Sequence, residues 1–224
     1  VNGREYMKAQ KNPPIVLDWK SRLVVVSGSG ELGLSTGPWK STSKANPTEP
    51  ASFGQFFSIW QKQKDGAWKV LMDHGISHGN SEAPAQQLRS IDLPDTGKGS
   101  RRGVTDDPER QFIAAATRDT ADAYRQFSGN HTRLLRERRA PIDGAAAIAT
   151  YLKSQTGQWT WRPGRQAAST AGDFSYTLGT WTHRSPAGLQ SQGHYIRVWI
   201  ADYAAPSTKW TLAAEILTPR APGK

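Results

Sequence analysis

The chain carries one unit twice. Trp19-Lys20-Ser-Arg-Leu-Val-Val-Val-Ser27-Gly-Ser-Gly30-Glu31 aligns without a gap on Trp161-Arg162-Pro-Gly-Arg-Gln-Ala-Ala-Ser169-Thr-Ala-Gly172-Asp173, and the match runs on through Gly37-Pro-Trp39 and Gly179-Thr-Trp181. It resumes at Gly54-Gln-Phe-Phe-Ser-Ile-Trp60 against Gly193-His-Tyr-Ile-Arg-Val-Trp199, and ends at Trp68-Lys-Val-Leu-Met-Asp73 against Trp210-Thr-Leu-Ala-Ala-Glu215. Trp19, Trp39 and Trp68 each stand 142 residues before Trp161, Trp181 and Trp210. Solenoid repeats have periods of roughly 20–50 residues, so this spacing is a domain duplication. Any functional site must therefore be assigned to one copy or the other.

The 224 residues suit two domains of about 110 residues each. With no cysteine, disulfides, thiolate metal sites and cysteine nucleophiles are excluded. No stretch approaches the roughly 18 apolar residues of a membrane span. Val1 is not a natural start, so the sequence is expected to lack an N-terminal segment. A signal peptide there would place the protein in the periplasm or outside the cell. The net charge of +10 raises the question of a nucleic-acid surface. However, the densest basic run, Arg133 to Arg139, falls on an expected strand, where alternation divides its side chains between two faces. Arg101-Arg102 lie in a linker, and no nucleic-acid motif accompanies either run.

Along the first copy, Gly3 to Gln10 reads as a short helix stopped by Asn12-Pro13-Pro14. Strands are expected over Ile15–Ser27, Glu31–Ser41, Phe53–Lys62 and Ala67–Ile76, the last two joined by an Asp65-Gly66 hairpin signal. Residues 79–106 are rich in Gly, Ser, Pro and charge and read as a linker, with Leu88, Ile91 and Leu93 available for local packing. The second copy opens on a helix from Asp107 to Phe127. Asp106-Asp107 would cap it, Pro108 stands in its first turn, and Glu109 complements its dipole. A strand over Thr132–Arg138, a helix over Pro141–Ser154 and four further strands complete the unit near Pro219.

This order, with the S-x-x-G-[DE] and G-x-W strand pair, the G-[HQ]-[FY]-x-x-x-W strand and the closing W-x-[VL]-x-x-[DE], resembles the nuclear transport factor 2-like superfamily. Within it, the SnoaL-like branch, known as domain of unknown function 4440, is the nearest likeness. The likeness covers residues 107–219 fully and 2–78 in part. It implies an α+β fold of tandem cones, each a curved antiparallel sheet wrapped around helices with a pocket at the wide end. The expected organisation is a truncated first cone over 1–78, a linker over 79–106 and a complete second cone over 107–224. Fold alone does not choose among the isomerases, cyclases, transport factors and binders that share it.

Ketosteroid isomerase chemistry needs a carboxylate base and an oxyanion donor. The resemblance places the donor at Phe112 and the base near Leu135, and neither can serve. The remaining acids are Asp73 and Glu215, equivalent on the last strands, and Asp119 on the long helix. A last-strand acid acts as a base if an apolar pocket raises its pKa. The competing reading for Asp73 and Glu215 is a salt bridge or turn contact to the neighbouring strand. Asp73, His74 and His78 are too far apart on one strand to read as a metal site, and neither metal nor cofactor is expected. The aromatic residues Phe112, Tyr176, Trp181, Tyr195 and Trp199 are the candidate lining of a pocket, with core packing as the plain alternative.

The leading expectation is a binding module that holds a small apolar or amphipathic molecule in the second cone. The alternatives are a lyase or isomerase using Glu215 or Asp119 as base, and a structural module that dimerises through its sheets. The two copies are expected to pack sheet against sheet, and homodimers are a further possibility. A bare first sheet is expected to be covered by an N-terminal helix, the linker or a partner chain.

Overall fold

The computed structural model describes residues 15–46, 48–80, 87–94, 107–202 and 209–220. The helix expected over Gly3–Gln10 lies outside them. The first half supplies β1 (Ile15–Trp19), β2 (Leu23–Val26), β3 (Leu32–Ser43), β4 (Ser52–Lys62), β5 (Trp68–His78) and β6 (Arg89–Asp92). They form a sheet of order β5-β4-β3-β2-β6, with β1 also paired to β3. The single strand expected over Ile15–Ser27 is thus two strands lying end to end along β3. Residues 89–92, inside the expected linker, run parallel to β2, and Ile91 and Leu93 pack on the core while Leu88 is exposed.

The second half begins with α1 (Pro108–Arg118) and α2 (Thr120–Phe127). The periodicity predicts one continuous helix over Asp107–Phe127. Asp119 divides it, because its backbone is extended. Its N–H closes α1 onto the Ala115 carbonyl and its carboxylate caps α2 at the Asp122 N–H. The chain continues through β7 (Ser128–Arg136), β8 (Ile142–Asp143), α3 (Ala145–Leu152), β9 (Gln158–Ala168), β10 (Phe174–Arg184), β11 (Gln190–Asp202) and β12 (Lys209–Pro219). The second sheet has the order β8-β7-β12-β11-β10-β9, with β7 parallel to β12.

The duplication is repeated at the level of individual backbone pairs. Trp19 pairs with Trp39 and Trp161 with Trp181; Trp39 pairs with Gly54 and Trp181 with Gly193. Ser58 pairs with Asp73, and Arg197 with Glu215. Even the bulge recurs, with Leu71 and Ala213 as the extra residues. The repeated glycines have a steric cause: a Cβ at Gly54 would lie 2.3 Å from the Trp39 ring, and one at Gly193 2.8 Å from the Trp181 ring.

The two sheets pack face to face. Val25, Leu34, Phe57 and Ile59 from the first meet Phe174, Tyr176, Ile196 and Val198 from the second in one buried layer. The arrangement is pseudo-twofold, and its turns show it. Asp173 accepts from the Gly28 N–H (2.8 Å), while Glu31 accepts from the Thr170 N–H. Gly28 and Thr170 are equivalent positions, as are Glu31 and Asp173. Each repeated acid therefore caps the turn of the other copy. The opposite face of the second sheet is covered by the three helices in a separate core.

Candidate functional site

Two places descend from the cone interior, one in each copy. In the second, Trp161, Trp181, Tyr195 and Trp199 project from the sheet toward Phe112, Tyr124 and Phe127 of α1 and α2. Phe112 makes an edge contact with Tyr124 at 5.0 Å and a tilted one with Trp199 at 5.7 Å. Within this apolar shell lies a buried ionic cluster. The Arg197 guanidinium reaches Glu215 through Nε at 2.5 Å and Glu109 through Nη1 at 2.7 Å. Arg136 forms a second ion pair with Glu215. The Tyr124 hydroxyl donates to Glu215 (2.7 Å), and the Tyr195 hydroxyl (2.8 Å) and Trp199 indole (3.0 Å) donate to Glu109. Phe112 and Trp161 flank the Arg197 guanidinium, with ring centroids at 4.1 and 4.0 Å.

This cluster fixes the protonation states. Burial alone would raise the Glu215 carboxyl, but the Arg136 and Arg197 guanidiniums outweigh it and hold it below the usual carboxylate range. Burial, reinforced by the carboxylates, pushes the Tyr124 and Tyr195 hydroxyls up, so both remain donors. Two arginines and two glutamates balance, which is how a buried charge set is tolerated. Between Tyr124, Arg136, Tyr151, Trp159 and Leu217 the interior leaves a cavity of ≈ 10 Å³, about the least that holds one water.

The expected site residues fall into separate environments. Phe112, Trp181, Tyr195 and Trp199 do meet in the second cone, as its packed core. Tyr176 points the other way, into the layer between the sheets, because residues 174 and 176 alternate with the helix-facing side. Glu215 is in the cone interior, but its carboxyl is lowered rather than raised. Asp119 is an exposed helix cap. Leu135 is buried between the sheets. Sequence reasoning missed Glu109, Arg136 and Arg197 as partners. Glu109 read as a helix-dipole charge and Arg136 as part of a basic run; only tertiary packing makes them an ion set. The other cation of that run that turns inward, Arg133, is bound by Asp143 at 2.7 Å.

In the first copy no described helix lies on the equivalent face. Trp19, Trp39, Phe56 and Trp60 occupy the places of Trp161, Trp181, Tyr195 and Trp199. With Asp73 and His74 they line an apolar trough of ≈ 630 Å³. Ile15, Leu17, Trp19 and Val70 are 40–54% exposed along it. Asp73 accepts a 2.6 Å hydrogen bond from Ser58, the position where the second copy has Arg197. The exposed apolar face is thus β1 and the concave side of β3 to β5. Val24 and Val26, on β2, are partly covered. Among the described residues, no group of three or more His, Asp or Glu is placed to hold a metal ion, and no helix is long and apolar enough to cross a membrane.

No protein-family model and no curated protein matches the sequence. Among solved structures the chain is similar to nuclear transport factor 2-like and ketosteroid isomerase-like proteins. A ketosteroid isomerase-like protein from Erwinia carotovora atroseptica is 15% identical, over 51% of this chain and 92% of its own, with a TM-score of 0.41. The Δ5-3-ketosteroid isomerase from Mycobacterium sp. is 8% identical over 50% of this chain and 88% of its own, at 0.41. A nuclear transport factor 2-like protein of unknown function from Shewanella oneidensis is 14% identical over 49% and 92%, at 0.40. Each likeness spans about half of this chain. The two-cone architecture itself is read from the strand order and register described above.

Proposed function

We propose that the protein is a non-catalytic binding module in which the second cone is a rigid body and the first sheet supplies the binding face. The observation that carries this reading is the contrast between equivalent surfaces. One is packed by three helices and an ion cluster, with a cavity of ≈ 10 Å³ beside Tyr124 and Arg136; the other, among the described residues, is an aromatic trough of ≈ 630 Å³, within the range of pockets that hold drug-sized ligands. A small-molecule site in the second cone, the expectation from sequence, would require the Arg197–Glu109–Glu215 set and the Phe112 contacts to separate. The trough needs no rearrangement. Its chemistry suits an amphipathic partner: four aromatic rings for apolar contact, and Asp73, Ser58 and His74 for one polar group. Proton abstraction by Glu215 is disfavoured by this geometry, since Arg136 and Arg197 pair with the acid and hold it ionised.

The test is binding of a fluorescent amphipathic probe, anilinonaphthalene sulfonate, to the wild-type chain and to Trp60→Ala and Phe112→Ala variants. Saturable binding weakened by Trp60→Ala and retained by a folded Phe112→Ala supports the first sheet as the binding face. Binding lost only in Phe112→Ala returns the site to the second cone.

A further inference from the structure

The second cone holds buried donors that its ion cluster does not use. The cavity of ≈ 10 Å³ is walled by Tyr124 of α2, Tyr151 of α3, Arg136 of β7, Trp159 and Trp161 of β9 and Leu217 of β12. Three of these residues carry a buried N–H without a protein acceptor: Arg136 Nε, Trp159 Nε1 and Trp161 Nε1. Trp161 is 6% exposed and Arg136 8%. An unpaired buried donor is costly, and native interiors hold few of them. Here three border one cavity.

The donors are fixed in place. Arg136 spends Nη1 on the Leu135 carbonyl (3.0 Å) and Nη2 on Glu215, which leaves Nε. Trp159 stacks on Trp161 (5.4 Å, 7°) and on His183 (4.3 Å, 29°), and Trp161 stands edge-on to Tyr195 (5.4 Å). Neither indole can turn toward another acceptor without breaking these contacts.

The neighbouring oxygens are already engaged. Glu215 accepts from Arg136 and Tyr124 at one oxygen and from Arg197 and Tyr124 at the other. Indole and guanidinium N–H groups donate and cannot accept. A water between them accepts from two of the three and brings two protons of its own. A halide accepts from all three and brings none. Arg136 and Arg139 also lie over the Tyr151 ring, at 5.8 and 5.2 Å, so this wall favours negative charge. The volume admits one small sphere and excludes polyatomic anions.

We propose that this cavity is a structural anion site that takes a single chloride. The ion accepts from Trp159 Nε1, Trp161 Nε1 and Arg136 Nε. It thereby ties β7 and β9 together beneath α2 and α3. The site lies wholly in the second cone and stands apart from the trough.

The test uses the full chain exchanged from chloride into sodium gluconate, with sodium bromide titrated in at constant ionic strength. Bromide quenches tryptophan on contact, so intrinsic fluorescence reads occupancy. The expected result is a saturable component of quenching, with a thermal midpoint that rises as bromide replaces gluconate. Crystals grown with bromide are expected to show an anomalous bromine peak within hydrogen-bond reach of at least two of the three N–H groups. Trp161→Phe keeps a ring and removes the N–H. It is expected to raise the half-saturating bromide concentration about tenfold or more, as for the loss of one charge-assisted hydrogen bond. Trp159→Phe is expected to act in the same direction. Circular dichroism separates lost binding from lost folding. Quenching that is only linear overturns the proposal. So does a half-saturation that neither substitution moves in folded protein. Bromine peaks confined to the surface, an adventitious ion only, overturn it as well. The anomalous measurement on the wild-type chain decides the matter even where both variants fail to fold.

Discussion

Glu215 concentrates the residue-scale physics of the second cone. It is fully buried and meets two guanidiniums and a tyrosine hydroxyl. Removing its charge leaves Arg197 and Arg136 undercompensated in an apolar shell, so Glu215→Gln is expected to destabilise the protein by about 3–5 kcal/mol, read from denaturant unfolding. Its carboxyl is lowered from the ordinary value of 4.5, so the unfolded chain takes up the proton first. The associated stability is complete above that value and is lost as pH falls through the lowered one. Acid titration of stability should therefore be shallower in Glu215→Gln than in the wild type. The same environment bears on catalysis. A base must be free to accept a proton near the substrate, and Glu215 is engaged by Arg136, Arg197 and Tyr124. Turnover of a Δ5-3-ketosteroid is expected at background. Activity well above background that disappears in Glu215→Gln would contradict this.

At the scale of elements, the repeated motifs record strand contacts more than chemistry. G-x-W and G-[HQ]-[FY] recur because a tryptophan ring on one strand lies across a glycine on the next. Gly54→Ala and Gly193→Ala should each cost at least about 2 kcal/mol by overpacking, with the backbone carbonyls of Ile76 and Thr218 also too near a Cβ, at 2.0 Å in each case. Equal tolerance of alanine at Gly66, where nothing lies within 4 Å of the Cβ position, would serve only as a measure of backbone strain at its positive φ of 81°. The strands were legible in the sequence through alternation and turn residues. The division at Asp119 was not, because a helical face of alanines and aromatics continues across it. Nor was β6, whose four residues Arg-Ser-Ile-Asp carry little apolar signal and are held by parallel pairing with β2.

For the whole molecule, the layer shared by the sheets makes the halves interdependent. Phe57, Ile59, Ile196 and Val198, from the two halves, are buried together in that layer. The crossed turn contacts of Glu31 and Asp173 tie the same interface at its end. Thermal unfolding is therefore expected as one transition in calorimetry, and Phe57→Ala, at a cost of about 3–5 kcal/mol, should lower that single transition without splitting it. Two resolved transitions, one of them unmoved by Phe57→Ala, would show that the halves fold independently.

The sequence by itself determined the duplication, the positions of the long strands that both copies share, the equivalence of Asp73 with Glu215 and the aromatic supply of both copies. These are properties of local pattern and of spacing, and both copies state them. The tertiary structure decided which face of each strand is concave. Tyr195 and Arg197 share one side of β11 and Ile196 and Val198 the other, and a period of two residues cannot say which side the helices take. It also decided that Glu109, Arg136 and Arg197 meet around Glu215, since residues from α1, β7 and β11 are brought together only by the closing of the sheet around the helices. Among the described residues, equivalent strands thus carry three packed helices in one copy and an aromatic trough in the other.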